Sequence, residues 1–332
     1  MRKMTSRGLG IMLALTVATA LFAASMGAMR LSLPMVWQAS ADSLVWQIWW
    51  TIRLPRVLLA VLVGSALAVS GATLQGLFRN PLADPGLLGI SSGASLALAL
   101  AVVMPLTLPA VLALWWPMLA AFVGSLAVTL MIFLLSRHGR TTLSRLLLAG
   151  IAINALCGAA VGLLSWIGND QQLRQLSLWG MGSLGQAQWS TVLASAALIL
   201  PALLATQWQA KRLNLLQLGD EEAHYLGVDV QRTQRIVLVL SALMVAAAVA
   251  VSGVIGFIGL VVPHLIRLGT GGDHRWLLPA SALLGAILLL IADTLARTLV
   301  APAEMPVGLL TSLLGAPWFL WLILRRREGE YD

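Results

Sequence analysis

Between Lys211 and Arg235 the chain reads KRLNLLQLGDEEAHYLGVDVQRTQR, a polar stretch with long, nearly uncharged apolar blocks before and after it. Four of the thirteen acidic residues, Asp220, Glu221, Glu222 and Asp229, lie here, flanked by Lys211, Arg212, Arg232 and Arg235. Leu213, Leu215, Leu216 and Leu218 lead to Gly219, and Ala223, Leu226 and Val228 surround Gly227. This spacing predicts two short amphipathic helices, each stopped by a glycine that takes positive φ at its end. Such a pair carries both signs of charge and an apolar face, so it belongs in water rather than in hydrocarbon. Two readings fit these residues: a docking element over 213–228, or an ordinary polar loop between two membrane helices.

The flanking blocks decide the class. Of the 332 residues 59% are hydrophobic and only 10% charged, and the mean hydropathy is +0.89. Soluble domains carry about 25% charged residues, whereas apolar runs of about twenty residues span a bilayer. The expected fold is therefore all-α, a polytopic membrane protein with one transmembrane domain over 1–332. The opening MRKMTSRG and its apolar run have the basic start and small-residue end of a signal peptide, but a run of roughly 21 residues reads as a first transmembrane helix. Nine more spans follow at roughly 57–77, 87–104, 112–136, 143–167, 190–208, 236–255, 257–268, 276–299 and 306–324. The one beginning near Phe257 is too short for a hydrocarbon core of about 30 Å and contains Pro263, so the pattern predicts an irregular span broken there.

The net charge of +8 is spread through short loops rather than gathered on one face, which argues against nucleic acid. With both termini on one side, 16 basic loop residues fall on that side and five on the other: Arg30, Arg53, Arg56, Arg174 and Arg297. The positive-inside rule then makes both termini and the 211–235 stretch cytoplasmic. Arg30 to Arg56 reads as an outward polar segment, with Trp37, Trp46, Trp49 and Trp50 suited to an interfacial belt. Two groups of five spans imply an inverted repeat, and Ala68-Val69-Ser70-Gly71 recurs as Ala250-Val251-Ser252-Gly253.

Several chemistries are excluded or narrowed. The single Cys157 rules out a disulfide framework or a C-x-x-C motif within one chain. Neither Lys3 nor Lys211 follows the glycine of a phosphate-binding P-loop, so the chain is read as no ATPase. Gly89-Ile90-Ser91-Ser92-Gly93 has the G-x-S-x-G spacing of a hydrolase elbow, but its flanks are apolar spans rather than a strand and a helix with triad partners. Small residues there suit close helix packing instead. Asn80-Pro81 and Asp84-Pro85-Gly86 form a turn cluster, either a rigid connection or a partner contact. Asp293 and Arg297 stand i, i+4 as a helix-face ion pair or as a functional intramembrane carboxylate. Proton coupling calls for more buried carboxylates, which counts against a secondary transporter.

Arg53-Leu54-Pro55-Arg56, SGATLQGLFRNPLADPGLLGISSGAS from Ser70, SRLLLAGIAIN from Ser144, the Gly219 to Gly227 hairpin and SGVIGFIGLVVPHLIRL from Ser252 are long and distinctive. Together they resemble the permease subunits of the vitamin B12, iron-siderophore and haem group of ATP-binding-cassette importers, over essentially the whole chain. The resemblance is nearest to the haem-transporting members. It implies a bacterial inner-membrane permease moving haem from periplasm to cytoplasm, with vitamin B12 or a ferric siderophore as the alternative cargo. It further implies a homodimer in the lipid bilayer, two cytoplasmic ATPase subunits that use the ATP, a periplasmic haem-binding protein and no permanently bound cofactor. By the same resemblance Leu215, Leu218, Gly219, Ala223, Leu226 and Gly227 couple to the ATPase, and Arg53, Arg56 and Arg297 dock the binding protein. The cytoplasmic gate falls at Leu143 and Ser144, where the vitamin B12 permease has two hydroxyl residues and Leu143 departs from that pair. His264 is either a haem contact or a partner for backbone groups freed at a helix break.

Overall fold

The computed structural model describes residues 6–27, 29, 31–40, 42–104, 109–135, 143–301 and 303–327. Among them no residue is in a strand, as the composition predicts. Helix α1 (Ser6–Ser25) is followed by two short helices, α2 (Leu33–Gln38) and α3 (Leu44–Ile48). The latter runs through a π-helical turn, Trp49–Arg53, into α4 (Leu54–Leu77). A 3-10 turn, Pro85–Leu88, leads to α5 (Ile90–Val103), α6 (Ala110–Leu135) and α7 (Leu143–Ile167). Next come α8 (Asp170–Gly180), α9 (Trp189–Trp208), α10 (Ala210–Leu216) and α11 (Asp220–Tyr225). The chain continues with α12 (Val230–Ser252), α13 (Ile258–Thr270), α14 (His274–Thr298) and α15 (Val307–Arg327). Among the described residues seven helical segments are long and apolar enough to cross a membrane, and α5, α13 and the Val307–Trp321 part of α15 supply three shorter apolar helices, in line with about ten predicted spans.

Helix α4 is the centre of the bundle, packed by α14, α12, α13 and α9. In its apolar stretch 89% of residues are buried, against 17% in α1 and 22% in both α6 and α7, which face outward. The reason is side-chain size. A Cβ on Gly64 would strike the Gly285 backbone of α14, and one on Gly71 would strike the Gly259 backbone of α13. Inside a bilayer, close backbone approach and interhelical hydrogen bonds replace the hydrophobic drive. Ser65 Oγ accordingly donates to Ala282 O at 3.0 Å.

Three expectations are corrected. Arg53 and Arg56 do not lie in a polar loop, because helix runs without interruption from Leu44 to Leu77. Pro55 has no N–H to return to the preceding turn, and the chain widens just before it, with Leu54 N–H reaching Trp49 O. Nor does Pro263 break its span. The break comes earlier, at Gly253 and Phe257, whose φ values are 67° and 68°, and α13 then runs through Pro263. Proline leaves the carbonyl four residues back unused, and Gln75 Nε2 fills that gap by donating to Gly259 O at 3.3 Å and Leu260 O at 3.2 Å. At about 1.5 Å per residue the 13 residues of α13 rise only about 20 Å, so the span is short as predicted. Finally, Ala68–Gly71 lies inside α4 while Ala250–Gly253 ends α12, so the two tetrapeptides are not structural counterparts.

Candidate functional site

The 211–235 stretch folds as the predicted hairpin. Gly219 has φ 136° and Gly227 has φ 86°, so both stop their helices in backbone conformations that side chains resist. Leu213, Leu216, Ala223 and Val228 turn inward and are buried, whereas Leu218 (61%), Tyr225 (86%) and Leu226 (57%) stand exposed. Ala223, one of the residues expected to couple to the ATPase, is fully buried and packs the hairpin on the bundle. Tyr225 is the exposed aromatic that apolar spacing alone missed, since a tyrosine beside a histidine breaks the leucine pattern.

What the hairpin rests on is specific. Arg79, a non-glycine residue at φ 50°, donates from Nε to Leu216 O at 2.7 Å and pairs through Nη2 with Asp220. Gln217 Nε2 donates to Gly76 O at 2.6 Å, so three contacts tie the hairpin to the end of α4 and the residues just after it. Asn214 ties it to α14: its Nδ2 donates to Asp273 at 2.6 Å, and its Oδ1 accepts from the His274 N–H at 2.8 Å. Burial works against the Asp273 charge, but hydrogen bonds from the Arg275 N–H, Asn214 and the Arg275 guanidinium outweigh it and hold the carboxyl below its usual range. The turn cluster beside Arg79 is built as its prolines predict, with Asn80 Oδ1 accepting from Leu82 N at 2.9 Å and Asp84 Oδ1 from Gly86 N at 2.7 Å. The sequence showed Arg79 only as a charge between an apolar span and Asn-Pro.

At the far end of α4, Arg53, Arg56 and Arg297 gather in one network, and all three are about 95% buried. Arg56 Nε lies 3.1 Å from both Asp293 oxygens, and its Nη1 lies 3.0 and 2.9 Å from the two oxygens of Glu304. The predicted i, i+4 pair is present, with Arg297 Nε 3.1 Å from Asp293. Arg53 donates to Met26 O and, at 2.7 Å, to Met29 O, while Arg297 Nη2 donates to Ala23 O at 3.1 Å. Guanidinium groups thereby satisfy carbonyls in the last turn of α1 and in the segment just after it. Gly27 makes room for this, because a Cβ there would collide with the Arg53 guanidinium. The three arginines are thus brought together as predicted but do not stand free on the rim; the exposed member is Glu304, whose side chain is 50% accessible.

The remaining candidates are scattered. His264 is 5% exposed and meets Trp318 of α15 edge-on, with ring centroids 6.4 Å apart. Gly89 to Gly93 opens α5 from a 3-10 turn, and Ser92 Oγ donates to Asn154 Oδ1 at 2.5 Å, an inter-helix contact in place of a nucleophile and base. Leu143 and Ser144 begin α7, but their side chains lie outside the described residues. Helix α8 was not foreseen: Asn169 and Gln172 form a reciprocal cap, and Gln172 Nε2 docks on Val102 O at 2.8 Å.

A central glycine-lined helix, an exposed hairpin at one end and a buried arginine network at the other belong to a polytopic, all-α membrane protein. The chain belongs to the FecCD transport family, which it matches over residues 15–325. It is 68% identical over 320 residues to the hemin transport system permease protein HmuU of Yersinia pestis, covering 96% of each chain. It is also 44% identical over 280 residues to the vitamin B12 import system permease protein BtuC of Vibrio vulnificus, covering 84% of this chain and 83% of that one. Among solved structures, an inward-facing metal-chelate type ABC transporter chain superposes with a TM-score of 0.87 at 34% identity, over 97% of this chain and 100% of that one.

Proposed function

We propose that this chain is the membrane-spanning permease subunit of an ATP-binding-cassette importer that passes haem inward. It acts as a homodimer on two cytoplasmic ATPase subunits, which use the ATP, and receives haem from a periplasmic binding protein. It lies in a bacterial inner membrane with both termini and the hairpin in the cytoplasm. The observation that carries this reading is the hairpin, whose exposed Leu218, Tyr225 and Leu226 are backed by hydrogen bonds to α4 and α14. A partner that presses on this face moves the helix at the centre of the bundle. Haem as cargo rests on the 68% identity to the Yersinia hemin permease, and the 44% identity to a vitamin B12 permease supports cobalamin as the second reading.

On the opposite face we place docking of the periplasmic protein around Arg53, Arg56 and Arg297. Arg56 is the member whose guanidinium edge reaches a half-exposed group, so an acidic side chain of the partner engages it by exchange with Glu304. Arg53 and Arg297 hold the frame. His264 takes a packing role against Trp318 rather than a haem contact, because it is buried. The gate remains assigned to Leu143 and Ser144, at the start of α7, by the family resemblance. Co-purification tests the coupling assignment: the ATPase subunit is retained by the wild-type permease and lost with Leu226→Asp, whereas equal retention by both removes the hairpin from the interface.

A further inference from the structure

The end of α9, the start of α10 and the first turn of α14 border an open cavity of about 520 Å³ lined by Gln207, Trp208, Ala210, Lys211, Arg275 and Trp276. It uses none of the exposed hairpin residues and none of the outward arginines. Its two walls are fixed to one another, since Gln207 Nε2 on α9 donates to Arg275 O on α14 at 3.0 Å. Lys211 is exposed and, among the described residues, makes no ion pair; Arg275 is 59% exposed beside Asp273, its Nη2 3.2 Å from the carboxylate. The site thus carries a net positive charge, most of it at Lys211.

The position of the tryptophans sets the depth. Trp208 is the last residue of an apolar 20-residue helix and is 80% exposed, and Trp276 begins the apolar run of α14. Indole rings at the point where apolar helix gives way to polar chain mark the boundary between hydrocarbon and water. A ligand seated there has to present negative charge to Lys211 and Arg275 and apolar surface to Trp208 and Trp276. Free phosphate meets only the first need. We propose that this cavity binds the headgroup of an anionic phospholipid, with Lys211 and Arg275 donating to phosphate oxygens and the indoles lying against the glycerol and upper acyl carbons. Lys211 is the second residue of α10, so the bound lipid fixes the base of the hairpin to the bilayer.

The test uses the permease with its ATPase subunit in phosphatidylcholine nanodiscs containing brominated phosphatidylglycerol, and reads tryptophan quenching. Brominated phosphatidylglycerol quenches more than brominated phosphatidylcholine in the wild type, and the excess falls in Trp208→Phe and disappears in the Trp208→Phe, Trp276→Phe double variant. Lys211→Gln and Arg275→Gln each weaken apparent affinity about fivefold, the equivalent of about 1 kcal/mol per basic group near an anionic surface. Equal quenching by the two lipids, or a preference unchanged by both charge removals, overturns the assignment. Loss of the excess on adding inorganic phosphate also overturns it, in favour of a free-phosphate site. No haem uptake enters the readout, so failure here is distinct from failure of the transport reading.

Discussion

The Arg56 guanidinium on α4 and the Asp293 carboxylate on α14 meet edge to edge, with Nη2 2.9 Å and Nε 3.1 Å from Asp293 Oδ1. Asp293 is 2% exposed and also holds Arg297, so removing it leaves buried Arg297 with no carboxylate and buried Arg56 with Glu304 alone. Asp293→Ala is expected to destabilise the permease by about 3 to 5 kcal/mol. Glu304→Gln, at a half-exposed position, is expected to cost about 1 kcal/mol or less. Thermal unfolding in detergent reads both, and similar losses for the two would place them in the same environment, contrary to the structure.

Docking separates the same two carboxylates in another way. Glu304 occupies the outward edge of Arg56, and Glu304→Gln takes away the charge that a partner carboxylate has to displace. Affinity for the periplasmic binding protein is expected to rise about two- to fivefold, the size of an exposed ion pair. Binding measured by surface plasmon resonance should also weaken as salt increases. Weaker binding by Glu304→Gln would mean that Glu304 itself contacts the partner and that Arg56 stays internal.

The hairpin glycines differ in what surrounds them, and this makes a paired prediction. A Cβ at Gly227 meets no atom within 4 Å, so Gly227→Val tests the backbone alone, at φ 86°. Its cost of about 1 to 3 kcal/mol falls on the turn rather than on the bundle. ATP hydrolysis is expected to continue while haem uptake falls, and Arg79→Ala, which leaves only Gln217 tying the hairpin to α4, is expected to do the same. Uptake that keeps pace with hydrolysis in both variants would detach the hairpin from coupling.

Asp273 caps α14 and anchors Asn214 of the hairpin. Its carboxyl titrates below the ordinary value of 3.8, so its contribution is present at neutral pH and fades as pH falls through the lowered value. Asp273→Asn is expected to cost about 1 kcal/mol at pH 7, as for loss of a helix cap charge. The gap between wild type and variant should close only well below about pH 4. A gap that closes near pH 6 would point to a histidine instead.

The number of spans, the hairpin and its stop glycines were legible because they are local: period, charge density and glycine position set them within a few residues. The shortness of α13 was equally local. Its continuation through Pro263 was not, because Gln75, which takes up the freed carbonyls, sits 184 residues away. The burial of Arg53 and Arg56 was hidden for the same reason. Charge in the sequence reads as loop, and it is the carbonyls just after α1 together with Asp293 and Glu304, all distant in the chain, that make a buried position tolerable. Arg79 shows the converse: its role comes from a positive φ and a distant carbonyl, neither of which leaves a pattern in the residues beside it.

The central claim is tested most directly by uptake into proteoliposomes that hold the purified permease and its ATPase subunit, with the haem-loaded binding protein outside. The account predicts ATP-dependent accumulation of haem, abolished without ATP and little affected by excess vitamin B12 or ferric siderophore. Uptake driven by a proton gradient without ATP, or ATP-dependent uptake of vitamin B12 in preference to haem, would contradict it.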